Sequence, residues 1–312
     1  MRKFGFMFPG QGSQKLGMLS NFAAKSNVIQ ETFSEASDAL GIDLWDIVQH
    51  DRENSLDETQ ITQPVLLTTS ITIWRLWIKQ QGPEPSVLAG HSLGEYSALV
   101  CAGVIGFQDA VNVVFRRGQF MRSAVSEGKG KMAAIVGLKA DKITEICKNT
   151  GNLGTVSVAN FNSPGQIVIA GNTKAVEHAM ALSKDAGAKR TVLLNISIPS
   201  HCGLMKPAAE QLERELANIK FETPRIAVVQ NANAEISNNP EKIKSNLIKQ
   251  LYSPVRWTDC VKLISEIGIE KLVECGPGKV LCGLVKRIEP EMVCCGSDDE
   301  ISLGNAIAEM SA

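Results

Sequence analysis

Val87-Leu88-Ala89-Gly90-His91-Ser92-Leu93-Gly94-Glu95-Tyr96-Ser97-Ala98-Leu99-Val100-Cys101-Ala102 is the stretch that decides the reading of this chain. It runs from an apolar segment through Gly90-His91-Ser92-Leu93-Gly94 into a segment with helical spacing. Strand, sharp turn and helix form the context that makes G-x-S-x-G a nucleophile elbow. The turn needs small residues on both sides. A Cβ at Gly90 or Gly94 is expected to collide with the neighbouring strand or helix. Ser92 is thereby presented as an exposed hydroxyl at a helix N-terminus, where partial positive charge favours a developing oxyanion. The competing reading is a chance match in a glycine-rich turn. The strand–helix context favours the catalytic one.

The rest of the chain frames that motif. Its 312 residues suffice for one large α/β domain, or for a large domain carrying a small one. With 44% apolar residues, a substantial core can be buried. A formal net charge of −1 lacks the basic stripe of a nucleic-acid binder, so no nucleic-acid partner is expected. The apolar runs are too short to span a bilayer, so no membrane association is expected. Met1-Arg2-Lys3 precedes a short apolar run that breaks at Pro9-Gly10. That run is too short for a signal segment and reads as a buried first strand. The eight cysteines include no C-x-x-C pair and no zinc-ligand spacing. They read as free, small apolar residues in a reducing cytoplasm. The four histidines are not spaced as ligand pairs, and no metal site is expected.

Strand-like and helical patterns alternate at both ends of the chain, which implies a parallel sheet covered on both faces. Strands are expected over 3–8, 87–89, 227–230, 271–274 and 292–295. Helices are expected over 28–40, 65–80, 109–125, 242–251, 258–267 and 280–288. The middle differs. Strand, helix, strand, strand, helix, strand follow one another over 131–194, with the turn Asn162-Ser163-Pro164-Gly165 between the central pair. That order is the ferredoxin-like split unit. The expected fold class is therefore α/β. An α/β-hydrolase-like large domain with a parallel sheet covers 1–127 and 198–312, and an inserted ferredoxin-like (βαββαβ) small domain covers 128–197. A cleft between them is the natural place for a substrate.

A nucleophilic serine needs a base. His91 is adjacent, but neighbouring side chains on a tight turn diverge. His50 and His178 sit among charged residues and read as surface histidines. His201, in Ile198-Pro199-Ser200-His201-Cys202, follows the end of the inserted unit, in a junction loop where functional side chains concentrate. It is the leading candidate. No Asp or Glu stands out as a third member, so a Ser–His dyad is the working arrangement. On the 109–125 helix the stripe Val111, Val114, Phe115, Gly118, Met121 puts Arg117 at its edge and Arg116 nearly opposite. Arg117 is placed to offer a fork to a carboxylate, with a solvated flank arginine as the alternative. Gly10-Gln11-Gly12-Ser13-Gln14 does not fit G-x-G-x-x-G, since Lys15 takes the third glycine position. The loop could instead supply an oxyanion donor. Gly276-Pro277-Gly278 reads as a strand-to-helix turn.

Together these pieces resemble the malonyl-CoA:acyl-carrier-protein transacylase family. The resemblance rests on segments that span nearly the whole chain, in order. They are Phe8-Pro9-Gly10-Gln11-Gly12-Ser13-Gln14, Gly90-His91-Ser92-Leu93-Gly94-Glu95-Tyr96, Arg116-Arg117-Gly118 and Ala159-Asn160-Phe161-Asn162-Ser163-Pro164-Gly165-Gln166. Pro199-Ser200-His201, Gln250-Leu251-Tyr252-Ser253-Pro254-Val255-Arg256-Trp257 and Glu274-Cys275-Gly276-Pro277-Gly278 complete them. The resemblance implies malonyl transfer from malonyl-CoA to the phosphopantetheine thiol of acyl carrier protein, through a malonyl–serine ester, in fatty-acid biosynthesis. It implies Ser92 as nucleophile and His201 as base. The N–H groups of Gln11 and Leu93 would form the oxyanion hole, and Arg117 would hold the malonyl carboxylate. Gln250 would position His201 through its backbone carbonyl. No tightly bound cofactor is implied; malonyl-CoA is substrate, and a cytoplasmic monomer is expected. Two other readings remain: a serine hydrolase or thioesterase using the same elbow, and a non-catalytic acyl-binding module.

Overall fold

A computed structural model describes residues 3–196 and 198–312. Met1, Arg2 and Ser197 lie outside the described residues; Ser197 is the last residue of the expected insert. The first part of the chain forms β1 (Phe4–Phe8), α1 (Ser20–Ala23), α2 (Val28–Leu40), α3 (Leu44–His50), α4 (Thr59–Lys79), β2 (Val87–Gly90), α5 (Gly94–Cys101) and α6 (Phe107–Ala124). The middle forms β3 (Gly130–Val136), α7 (Ala140–Asn149), β4 (Val156–Ser163), β5 (Gln166–Asn172), α8 (Thr173–Asp185) and β6 (Arg190–Leu193). The remainder forms α9 (Lys206–Ala217), β7 (Ala227–Gln230), β8 (Glu235–Ile236), α10 (Pro240–Tyr252), α11 (Trp257–Glu266), β9 (Lys271–Glu274), α12 (Val280–Ile288), β10 (Val293–Gly296) and α13 (Glu300–Ser311).

Two sheets result. The six-stranded sheet has the order β10-β9-β1-β2-β7-β8, parallel except for the β7–β8 pair. All five residues of β1 and all four of β2 are buried, as strands covered on both faces require. Phe4, Phe6 and Phe8 pack into one layer with α2, α4 and α6, while Met7 packs into the other with Trp257, Val261 and Leu284. The chain leaves β1 toward β2 on one side and returns to its other side only with β9. The carboxyl ends of β1 and β9 therefore flank the point where strand order reverses, the usual ligand crevice of an open α/β sheet, and the turn after β2 lies on the other side of β1.

The four-stranded sheet is antiparallel, order β4-β5-β3-β6. Ile143 and Ile146 of α7 and Val176 and Ala179 of α8 pack on one of its faces. Its other face carries Met132, Ala159, Val168 and Ala170, which pack with Cys202. Backbone bonds from Phe161 N–H to Val255 O and from Val255 N–H to Ala159 O, both 2.9 Å, tie β4 to the segment before α11. The two sheets thus meet beside the residues that follow β2 and β6.

Three expectations need correction. α4 starts at Thr59 rather than 65, because Pro64 lies inside the helix instead of ending the segment before it. α13 was not foreseen; Asp299 and Ser302 cap it reciprocally, but only Leu303, Ala306 and Met310 of its stripe are buried. The cysteines are not all free. Cys282 on α12 and Cys294 on β10 form a disulfide with a Cα–Cα distance of 5.5 Å, brought together by packing rather than by a motif spacing. Among the described residues, no helix is long and apolar enough to cross a membrane.

Candidate active site

The turn after β2 is held from three sides. His91 N–H donates to Phe8 O at 2.9 Å, continuing the β1–β2 ladder. Asn231, just past β7, accepts Ser92 N–H on Oδ1 and donates from Nδ2 to Gly90 O, both at 2.7 Å. Ser92 sits at φ 53°, left-handed backbone that a non-glycine residue occupies only when its surroundings impose it. The glycines make that possible. A Cβ on Gly90 would stand 1.9 Å from Gly94 C, and one on Gly94 would stand 2.0 Å from Phe8 O.

His201 comes from the segment between β6 and α9. Its backbone is also left-handed, φ 60°, and its N–H donates to Leu251 O at 2.9 Å. Its Nδ1 lies 2.7 Å from Gln250 O, and its Nε2 lies 2.7 Å from Ser92 Oγ. A carbonyl only accepts, so Nδ1 carries the proton and Nε2 faces the hydroxyl with its lone pair. Burial, reinforced by the Arg117 charge, pushes His201 down to about 3. The imidazole is neutral at neutral pH.

Arg117, on α6, is fully buried rather than at the edge of an apolar stripe. Its Nη1 donates to Gln63 Oε1 at 2.6 Å, and its Nη2 to Gln250 Oε1 at 3.1 Å. The same Nη2 stands 3.4 Å from Ser92 Oγ, and the Tyr96 ring lies under the guanidinium at 5.6 Å. Among the described residues, no carboxylate lies within ion-pairing distance of it. Gly118 explains the approach of α4: a Cβ there would stand 2.4 Å from Gln60 Cα. Arg116 is half exposed and bonds to Gln119 at 3.1 Å.

The β1 loop closes the site. Gly10 packs so tightly on the elbow that a Cβ would stand 2.5 Å from His91 O. The N–H groups of Gln11 and Leu93 are not taken up by hydrogen bonds among the described residues. Gln11 Oε1 accepts from Thr59 Oγ1 at 3.1 Å, and Thr59 Oγ1 accepts from Gln63 Nε2 at 3.0 Å. A cavity of about 560 Å³ opens beside Gln11, lined by Thr59, Gln60, Arg122, Asn195 and Ile198. His91 turns away: its Nε2 lies 2.9 Å from Asn162 Oδ1, and its ring leans on Trp257. His50 pairs with Asp46 on the surface. Among the described residues there is no cluster of three or more metal-ligating side chains.

The structure brings Ser92, His201, Arg117 and Gln250 into one hydrogen-bonded group. It adds three residues that sequence reasoning missed: Gln63, Asn231 and Glu95. Gln63 carries no signal of its own, since it ends the mostly polar Thr59-Gln60-Ile61-Thr62-Gln63 stretch before Pro64. Glu95 was hidden among ordinary acidic first-turn residues. Nothing in the sequence near Asn231 marks it.

The profile of the acyl transferase domain family matches residues 5–288. A malonyl CoA-acyl carrier protein transacylase of Salmonella typhimurium is 50% identical over 309 residues, covering 99% of this chain and all of that one. An acyl carrier protein S-malonyltransferase structure from Vibrio cholerae superposes with a TM-score of 0.95 at 52% identity, over 97% and 99% of the two chains. A malonyl-transacylase solved in complex with a type II polyketide acyl-carrier protein gives 0.97 at 50% identity, over 98% and 99%.

Proposed function

The chain belongs to the acyl transferase family, among its malonyl CoA-acyl carrier protein transacylases, and from that membership we propose how its residues carry the reaction. The enzyme transfers the malonyl group of malonyl-CoA to acyl carrier protein, in fatty-acid biosynthesis. Ser92 Oγ attacks the thioester carbonyl while His201 Nε2 takes its proton. Gln11 and Leu93 N–H groups receive the oxyanion, the Nη2 side of Arg117 receives the malonyl carboxylate, and protonated His201 returns its proton to the departing CoA sulfur. The phosphopantetheine thiol then repeats the cycle in reverse roles on the malonyl–Ser92 ester. Gln250 O, by accepting from Nδ1–H, supplies the orientation that a triad carboxylate gives elsewhere.

One observation carries this reading. A single hydroxyl lies 2.7 Å from a neutral imidazole and 3.4 Å from a buried guanidinium with no carboxylate within ion-pairing distance among the described residues. A free-acid acyl group fits that pair. The carboxylate also removes the charge that helps hold His201 down, so the correct substrate strengthens the base it needs. A hydrolase or thioesterase using the same elbow has no need of that cation.

The cavity beside Gln11 suits a pantetheine arm in size and position. The strand order and two-helix layer of the small sheet support a ferredoxin-like unit over 128–197. The elbow and parallel sheet support the hydrolase-like description of 1–127 with 198–312. The chemistry calls for no bound cofactor. A cytoplasmic monomer is what the family resemblance implies. The test is incubation with malonyl-CoA with and without acyl carrier protein. Transfer to the carrier is expected, and release of free malonate at the same rate without carrier would favour the hydrolase.

A further inference from the structure

Glu95 is fully buried directly beneath the elbow, in the first turn of α5, and the transfer scheme above does not use it. No cation lies within ion-pairing distance of its carboxylate among the described residues. Three nitrogen donors converge on it instead. Oε2 accepts from Gln250 Nε2 at 2.8 Å and from Asn231 N–H at 2.9 Å, and Oε1 accepts from Gln230 Nε2 at 3.2 Å. Burying a carboxylate is costly unless donors repay it, and these donors lead directly to the reacting groups.

The Gln250 amide has two possible orientations, and Glu95 selects one. With Nε2 on Glu95, Nε2 also reaches Ser92 O at 3.1 Å, and Oε1 is left facing Arg117 Nη2 at 3.1 Å. The flipped amide would set a donor against the guanidinium and an acceptor against the carboxylate. The Gln250 backbone carbonyl, on the same residue, holds His201 Nδ1. Asn231, fixed by its N–H on Glu95, presents the amide that spans Gly90 O and Ser92 N–H. Gln230 cannot turn to suit an amide at position 95, because its Oε1 is taken by Asn246 Nδ2 at 2.7 Å and its Nε2 also bonds Ile243 O.

We propose that Glu95 is a positioning residue for the transfer reaction: its carboxylate holds Gln250 and Asn231, and through them the His201 imidazole, the Arg117 fork and the Ser92 elbow. The proposal rests on the catalytic assignment of Ser92 and His201 above. Only a carboxylate accepts from all three donors at once. A protonated acid or an amide at this place turns one acceptor into a donor and releases part of the array.

This gives the proposal a pH signature. Burial raises Glu95 to about 6 against the pull of its three donors and of Arg117. The ionisable groups facing it are Arg117 on α6, Tyr96 beside it on α5 and Cys260 on α11. Burial lifts Tyr96 to about 12 and drives the Cys260 thiol well up, so both stay neutral, and Arg117 stays cationic. Burial holds His201 at about 3 and lowers His91 from its ordinary range. Glu95, raised to about 6, is the carboxylate of this network whose charge changes near neutral pH.

The experiment is rapid-quench acylation of the purified enzyme by malonyl-CoA from pH 5 to 8, with the label located by peptide mass spectrometry. Wild type is expected to slow on the acid side with a midpoint close to 6. Glu95→Gln is expected to acylate roughly 10- to 100-fold more slowly at pH 8, as small misplacements of reacting groups do, and to lose the acid limb. Glu95→Asp, which keeps the charge with a shorter reach, is expected to recover part of the rate and retain a limb. A flat wild-type profile, a limb unchanged in Glu95→Gln, or wild-type speed in that variant each overturns the proposal. A residue that only supported folding would lower the melting temperature and leave the limb in place. If Glu95→Gln does not fold, the wild-type profile and Glu95→Asp decide. Label on a residue other than Ser92 overturns the catalytic assignment instead.

Discussion

Replacing Arg117 by alanine should convert an enzyme selective for a free-acid acyl group into one that barely distinguishes malonyl from acetyl. The guanidinium is fully buried, its Nη2 lies 3.4 Å from the nucleophile, and among the described residues no carboxylate lies within ion-pairing distance of it. A malonyl carboxylate bound there forms a desolvated pair. Removing one member of such a pair costs about 3–5 kcal/mol, or about 10²- to 4 × 10³-fold in malonyl kcat/KM at roughly 1.4 kcal/mol per decade. Acetyl has no carboxylate to strand. It loses only the contact with Ser92 Oγ, and it gains from a His201 relieved of the Arg117 charge. The malonyl/acetyl ratio of kcat/KM should therefore fall by about 10²-fold or more. The variant also leaves Gln63 Oε1 and Gln250 Oε1 without their donor, at about 1–3 kcal/mol each. Thermal unfolding and active-site titration must accompany the kinetics so that lost protein is not read as lost chemistry. Arg117→Lys should recover only part of the ratio, since an ammonium lacks the fork, and Arg116→Ala should leave it unchanged. Equal loss on both substrates from Arg117→Ala, or a shift in ratio from Arg116→Ala, refutes the argument.

Other perturbations bear on the same group of residues. His201→Ala should slow acylation by roughly 10²- to 10⁴-fold, and near-normal acylation would move the base elsewhere. The same variant tests the electrostatics. The folded-state value of His201 lies below its ordinary 6.5, so the native protein binds fewer protons than the unfolded chain. Its contribution to stability is thus complete above about pH 6.5 and is lost as pH falls toward 3. The melting temperature of His201→Ala should decline less steeply than wild type between pH 6.5 and 4, and an identical decline would contradict the burial argument. Gln63→Met removes the acceptor of Arg117 Nη1 while keeping the side chain's length. A fall in the malonyl/acetyl ratio of about 5- to 50-fold is expected from a loosened buried donor, and an unchanged ratio would show that Gln250 alone orients the fork.

The elbow was legible because its requirements are local. Gly90, Ser92 and Gly94 are dictated by a turn that closes within five residues, and the collisions expected for a Cβ are those found against Phe8 and Gly94. The alternation of the small sheet was legible for the same reason, through periodicity and the turn at 162–165. Helix phase separated Arg117 from Arg116 but placed Arg117 at an edge. Its full burial depends on how closely α4 approaches Gly118, which no pattern within α6 encodes. Asn231 and Glu95 were silent because their meaning lies in partners 136 to 155 residues away in the chain. The third triad member was sought as a carboxylate touching His201. The structure puts a backbone carbonyl there and the carboxylate one residue further along the chain of hydrogen bonds, on the Gln250 side chain. The Cys282–Cys294 pair was missed because α12 and β10 bring together positions whose separation carries no signal.

Intact-mass measurement on wild type and Ser92→Ala after mixing with malonyl-CoA tests the central claim most directly. A covalent intermediate requires the Ser92 oxygen and a free CoA thiol as the other product. Wild type is expected to gain about 86 Da per chain, mapped to the peptide containing Ser92, and to lose it to acyl carrier protein when the carrier is added. Ser92→Ala is expected to gain nothing. A malonyl adduct persisting on Ser92→Ala, or transfer to the carrier by that variant at the wild-type rate, would contradict the account.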